Sequence, residues 1–290
     1  MCKFREASIQ GFPFFINFRM SMNFLFKVIF LFLTSSACLQ SQDTTRVLFV
    51  GNSYTYFWNL PQVVEAMAIS QKVPLRTAQS TAGGVNLGQH WRGERGLETH
   101  QKIDVGQWDF VVLQDHSLRT IQARDSLNHF ITKWKIEIEK SNASPLLYLT
   151  WAREFNPLMQ DLITDGYESI GRQLDVPIAP VGEVWELARQ LRPDIDLYDA
   201  DGSHPSALGT YLAALTFYKS LTGKSLTDIP PRLTSRDHTG EKLYLMIVPP
   251  NDAAFCIDVV ERVMADYKYC LLYTSPSPRD RTRSRMPSSA

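Results

Sequence analysis

The stretch that most constrains this chain is Val47-Leu48-Phe49-Val50, four large apolar residues bounded by Arg46 and Gly51 and followed at once by Asn52 and Ser53. A run with no polar face reads as a strand buried on both sides, the usual state of a strand in a parallel sheet. Comparable runs recur at residues 75–79, 110–114 and 146–150 and, more briefly, around Ile178. Helical patterns fall at residues 60–71, 121–140, 158–174 and 184–191. This alternation predicts repeated βαβ units and an α/β fold: a three-layer α/β/α sandwich around a central parallel sheet of about five strands.

Ser53 then stands at the carboxyl end of the first strand, the edge where open α/β sheets bind ligands. A serine hydroxyl is a weak nucleophile unless a base and an orienting group accompany it. Asp201-Gly202-Ser203-His204 supplies both types, His204 as base and Asp201 as orienter. Taken singly, Ser53 also reads as a turn or phosphate-loop serine and His204 as a capping or packed histidine. After His204, Pro205 suits a first helical turn. Leu208, Tyr211, Leu212, Leu215, Tyr218 and Leu221 recur at helical spacing up to Gly223, so the Asp-His loop leads into a helix with an apolar face. Beyond Gly223 the expectation is loop to about Asp237, then two helices flanking Pro249-Pro250.

Both ends read differently from the middle. Met22 to Cys38 combine Lys27, the apolar run Val28-Ile29-Phe30-Leu31-Phe32-Leu33 and the small residues Thr34-Ser35-Ser36-Ala37, a signal-peptide progression too short to span a bilayer. Residues 1–41 are thus expected to be upstream sequence plus a signal peptide, cleaved near Ser41, or with Cys38 as a lipid-anchored first residue. Residues 270–290, with Ser275-Pro276-Ser277-Pro278-Arg279-Asp280, resemble a translated sequencing adapter; a natural basic disordered tail is the alternative. Leader and tail each carry a net of +3 while the whole chain is neutral, so residues 42–269, the expected domain, carry −6. Nothing in that acidic segment suggests a nucleic-acid surface. Its one cysteine, Cys256, excludes an internal disulfide and reads as a small buried apolar residue. His100, His129 and His238 lack metal-ligand spacing.

Three blocks carry a family resemblance. Gly51-Asn52-Ser53-Tyr54, Ala82-Gly83-Gly84-Val85-Asn86 and Asp201-Gly202-Ser203-His204-Pro205-Ser206 resemble the first, second and last blocks of the SGNH hydrolases, the GDSL-like serine esterase superfamily. The likeness spans about residues 46–223, with Asn52 where the commoner form has aspartate. The third block departs from the usual glycine and asparagine-aspartate pattern: Val111-Val112-Leu113-Gln114-Asp115-His116-Ser117 ends a strand on glutamine, as in a branch of the superfamily with a Gly-Asn-Ser-Tyr first block.

The resemblance implies a flavodoxin-like SGNH fold and an esterase in which Ser53, His204 and Asp201 form a catalytic triad. The oxyanion donors it implies are the backbone N–H groups of Ser53 and Gly84 and the Gln114 side-chain amide, with strand-end capping as the other reading of Gln114. No metal or organic cofactor is needed. His90, Trp91, Trp151 and Arg153 are expected at the crevice, as aromatic faces for a sugar and an arginine fork for a carboxylate, or else as ordinary loop packing. His116 is a rival base and Asp199 a rival orienter, while Asp115 braces its loop. The implied substrate is a small acyl ester or acylated glycan, reached by an exported enzyme. Two other functions stay open: a catalytically silent glycan-binding module on the same fold, and a phosphate or nucleotide binder using residues 51–55 as its loop.

Overall fold

The computed structural model describes residues 44–267. The signal-peptide, Cys38 and adapter readings fall outside the described residues. The apolar run at Val47 forms β1 (Thr45–Gly51), and the chain turns directly into a one-turn helix, α1 (Ser53–Tyr56). The helix α2 (Leu60–Ser70) returns the chain to β2 (Leu75–Thr81). Two short helices, α3 (Leu87–Trp91) and α4 (Thr99–Val105), precede β3 (Phe110–Leu113). Next come α5 (Arg119–Gln122), α6 (Arg124–Lys140), β4 (Ser144–Tyr148), α7 (Gln160–Leu174), β5 (Ile178–Ala179) and α8 (Val181–Leu191). The last part holds α9 (Ala207–Thr222), β6 (Arg232–Arg236), β7 (Lys242–Ile247) and α10 (Pro250–Asp266).

Strands β1 to β5 form one parallel sheet in the order β2-β1-β3-β4-β5. The two-residue side-chain alternation of each strand separates two cores. Val47, Phe49, Val112, Leu146 and Tyr148 face one layer, built from α2, α8, α9 and α10. Leu48, Val50, Val111, Leu113 and Leu147 face the other, built from α3, α4, α6 and α7. The expected three-layer α/β/α sandwich and its five strands are therefore observed. Cys256 is free and buried in the first core, and burial pushes its thiol up to about 12.

Three expectations need correction. The helix expected over 121–140 is two helices, broken at Ala123 (φ −155°). Pro205 is not in a helix: it bridges to Tyr198, and Ser206 caps α9 by accepting the Gly209 N–H (3.0 Å). The first of the two helices expected around Pro249-Pro250 is strand β7, paired antiparallel to β6. Its six residues are too few to establish a helical period. The Asp237 carboxylate also closes a tight turn by accepting the N–H groups of Thr239 and Glu241, and Gly240 follows at φ +88°. That turn chemistry favours a hairpin.

The loop after β5 and α8 matters most for the site. Helix α9 is buried along nearly its whole length. Phe217 locks it to the sheet, edge-on to Phe49 of β1 (5.1 Å) and to Tyr148 of β4 (4.6 Å). The Asp201–His204 loop enters the sheet's carboxyl edge from this anchored helix.

Candidate active site

At the end of β1 the backbone spends its hydrogen bonds on itself and on its neighbours. Asn52 caps α1: its Oδ1 accepts the Tyr54 N–H (3.1 Å), and its carbonyl accepts those of Thr55 (2.9 Å) and Tyr56 (3.2 Å). Its own N–H donates to Gln114 Oε1 (2.8 Å) at the end of β3. Its Nδ2 donates to the Val85 carbonyl (2.9 Å) and, at 3.5 Å, to that of Asp115. One amide thus ties together the three loops that leave β1, β2 and β3. Both Nδ2 contacts need a donor, which the aspartate of the commoner motif lacks. Because the N–H groups of residues 52, 54, 55 and 56 are already used, little of the 51–55 loop is left to cradle a phosphate.

Gly51 permits this closure. A Cβ there would stand 2.4 Å from both Gln114 Oε1 and Thr55 Oγ1. The Gly51 carbonyl is held from the other side by His90 Nε2 (3.0 Å), while His90 Nδ1 meets Thr99 Oγ1 (2.8 Å). A carbonyl only accepts, so Nε2 carries a proton. Burial pushes its pKa down to about 4, opposed in part by the bond to Gly51.

Against this braced turn stands the downstream loop. Ser53 Oγ lies 2.8 Å from His204 Nε2, and His204 Nδ1 lies 2.5 Å from Asp201 Oδ2. Asp201 Oδ1 accepts the N–H groups of Ser203 and His204, each at 2.9 Å. Burial alone would raise the Asp201 carboxyl; the imidazole and these two N–H groups outweigh it and hold it below the usual range. Phe57 stacks on the His204 ring (4.2 Å, 12°), and Tyr54 meets it edge-on (5.7 Å). The Tyr54 hydroxyl bonds Ser203 Oγ (2.7 Å), so the residue after the serine is tied to the residue before the histidine. Side chains are 27% exposed at His204 and 50% at Asp201, and Ser53 is 9% exposed.

Several expected site residues take other places. Gln114 is fully buried: its Oε1 accepts from Asn52 N–H and Thr55 Oγ1, and its Nε2 is turned to the Asp115 carbonyl. Its Oε1 is committed to the turn, one Nε2 proton is turned to the Asp115 carbonyl, and the side chain has no exposed surface. His90 is wholly buried behind β1, and Trp91 packs edge-on against Trp134 (5.0 Å) and His100 (4.7 Å). Trp151 is buried too, stacked between Tyr54 (4.6 Å) and Trp185 (4.0 Å), with its Nε1–H on the Ser203 carbonyl (3.0 Å). These three aromatic groups support the site from behind. Trp91 and Arg153 are both half-exposed, and of the two Arg153 lies on the loop that follows β4.

Gly84 is exposed, with φ +68° and nothing within 4 Å of where a Cβ would stand. His116 takes the Leu118 N–H on Nδ1 (3.4 Å), and Asp199 takes that of Ala200 (2.8 Å). Asp115 braces its loop by accepting from Leu87 and His116 N–H groups (3.1 and 2.7 Å).

Two features escaped the sequence reading. One is the Phe57–His204 stack; Phe57 adjoins the first block but belongs to no periodic pattern. The other is Trp58, half-exposed in left-handed backbone (φ 49°) together with Asn59 (φ 55°). Trp58 lines a cleft of about 720 Å³ with Glu154, Asp196, Asp199 and Ile247, beside the Asp201 loop.

Several solved structures are similar to this one. The chain is similar to a candidate SGNH hydrolase from Slackia heliotrinireducens at 23% identity and a TM-score of 0.51, over 62% of this chain and 100% of that one. This chain has the SGNH hydrolase fold. A DUF4886 family protein from Bacteroides uniformis ATCC 8492 is similar over 77% of this chain and 96% of its own, at 19% identity and a TM-score of 0.63. An acetyl xylan esterase is similar over 61% and 99%, at 13% identity and a TM-score of 0.51. No protein-family model and no curated protein matches the sequence.

Two outcomes follow from the bracing. Gln114→Ala removes the acceptor of a buried N–H and leaves a hole, so urea unfolding should show a loss of about 2–3 kcal/mol. Unchanged stability with turnover alone lost would instead mark Gln114 as a group that acts on substrate. The second outcome concerns His90, whose folded-state pKa lies below the unfolded value of about 6.5. Between the two the unfolded chain binds a proton that the folded one does not, so stability should fall as pH drops through this window. By pH 5 the loss should be about 2 kcal/mol. Urea midpoints of wild type and His90→Gln at pH 7 and pH 5 check it: the difference between the two pH values should be smaller in the variant.

Proposed function

We propose that the protein is an exported serine esterase of the SGNH type, which hydrolyses acyl esters, acetyl esters of carbohydrate foremost. The observation that carries this reading is the hydrogen-bonded line from Ser53 Oγ through both His204 nitrogens to the Asp201 carboxylate, at 2.8 and 2.5 Å. Such spacing suits proton transfer, and a silent binding module has no need of it.

In this mechanism His204 Nε2 takes the Ser53 proton as Oγ attacks the ester carbonyl. Asp201 holds the imidazole with its Nδ1–H outward to the carboxylate and stabilises the imidazolium that forms. The imidazolium then gives its proton to the departing alcohol, and a water activated by the same histidine releases the acid from Ser53. For the oxyanion we assign the backbone N–H groups of Ser53 and Gly84. Ser53 sits in the first turn of α1, where no carbonyl lies four residues back to take its N–H. Gly84 presents backbone without a side chain, next to Val85, whose carbonyl Asn52 holds. Their donation would be strongest as negative charge develops on the carbonyl oxygen.

The carbohydrate part rests on the exposed Trp58 face beside carboxylates that can accept from hydroxyls, and on the acetyl xylan esterase among the similar structures. Export rests on the Lys27-to-Ala37 progression in the sequence, and Cys38 offers a lipid-anchor site. No helix among the described residues is long and apolar enough to cross a membrane.

With an aryl acetate, the purified protein should turn over and Ser53→Ala should not. Asp201→Asn, which leaves the imidazole in the wrong tautomer, should lower kcat by about 10³–10⁴. A folded wild-type protein without esterase activity, or activity that survives Ser53→Ala, contradicts the proposal.

A further inference from the structure

The loops at the carboxyl ends of β3 and β4 carry an arginine that the esterase mechanism does not use. Arg153 is half-buried, and its Nε is shut off from solvent without a hydrogen-bond partner among the described residues. Its Nη2 reaches Ser117 Oγ only at 3.5 Å, the outer limit of a hydrogen bond. A guanidinium has five donors in a planar fork; here the buried Nε–H has no acceptor and the half-exposed Nη groups are left to meet a ligand. Other arginines of the domain are provided for: Arg76, Arg92, Arg124 and Arg192 each lie within 2.8 Å of a carboxylate.

Its position is beside the chemistry. Arg153 acts electrostatically on Tyr54, the residue after the nucleophile, and on His116. The next residue, Glu154, turns the other way: its N–H donates to Gly202 O (2.9 Å) and its carboxylate joins the cleft with Trp58. Arg153 therefore stands between the β3 loop and the loop that carries His204. Positive charge is concentrated on its own side. Arg119 also acts on His116, and burial together with these two cations holds the His116 imidazole below its usual pKa. The carboxylate of that loop, Asp115, is buried and directed to the N–H groups of Leu87 and His116.

We infer that Arg153, with the Ser117 hydroxyl, is the anchor for a carboxylate on the substrate, so that the esterase acts on O-acylated acidic sugars of the uronate class. This rests on the esterase reading above. An acetyl group carries no charge, so the carboxylate belongs to the alcohol half. A uronate offers two oxygens matched to the guanidinium fork, and Ser117 can donate to one of them. The carboxylate takes no part in bond making: Ser53 still attacks the acetyl carbonyl and the uronate leaves as the alcohol.

The test measures acetate release by the full-length protein from a monoacetylated uronic acid methyl glycoside and from the neutral hexose glycoside of the same configuration. Wild type should favour the uronate by about 10-fold or more in kcat/KM, less at high salt. The ratio should approach one in Arg153→Gln and persist in Arg124→Gln, whose ion pair with Asp165 lies elsewhere. Independently of any variant, the free uronate should inhibit wild-type aryl acetate hydrolysis at lower concentration than the neutral sugar. Equal rates on the two glycosides, a preference that survives Arg153→Gln, or equal inhibition by the two sugars overturns the inference. Ser53-dependent aryl acetate turnover under those same outcomes would leave the esterase reading intact. Its loss would remove that reading first.

Discussion

The site depends on a single buried contact, the Asn52 N–H on Gln114 Oε1, which joins the end of β1 to the end of β3. A four-residue helix such as α1 cannot hold its own shape, because one turn repays little of the entropy of fixing it. Its position must be imposed from outside. Gln114 does this from the β3 side, the Asn52 amide from the β2 and β3 loops, and His90 from behind Gly51. Neutral groups serve in each place. In a fully buried setting they leave no charge to desolvate, whereas an unpaired ion there would be strongly unfavourable.

The histidine arrives by a separate route. The loop from Asp201 to His204 is fixed by its own carboxylate, by the Trp151 N–H on the Ser203 carbonyl and by the buried helix that follows. Two independently anchored loops, 151 residues apart in sequence, thus meet at a 2.8 Å contact. Further side-chain bridges join the two segments: the Tyr54 hydroxyl on Ser203, and Phe57 stacked on the His204 ring. Preorganisation of this kind keeps the Ser53 hydroxyl and the His204 imidazole within hydrogen-bond reach of each other.

Much of this was legible in the sequence because the sheet is buried on both faces. Val47 to Val50 could be little else than a central strand, and the other four strands lie within two residues of their expected places. The Asp201–His204 spacing likewise paired acid and base. Two readings stay open in the sequence where one residue type serves two physical ends. Gln114 carries an amide that could point to substrate or to backbone, and only the packing around Gly51 decides for backbone. Trp151, Trp91 and His90 read equally as binding faces and as support; burial makes Trp151 and His90 support, and Trp91 packs edge-on against His100 and Trp134. The β6–β7 hairpin is hard to read from sequence because β7 is too short to set a period and only the Asp237–Gly240 turn marks it.

The central claim is that Ser53 is the nucleophile of a preassembled triad. Its most direct test is reaction of the native protein with a fluorophosphonate, followed by intact mass measurement and peptide sequencing. The account predicts one phosphonyl adduct per chain, located on Ser53 and absent after heat denaturation. A folded protein that takes up no adduct, or takes it up on another residue, contradicts it.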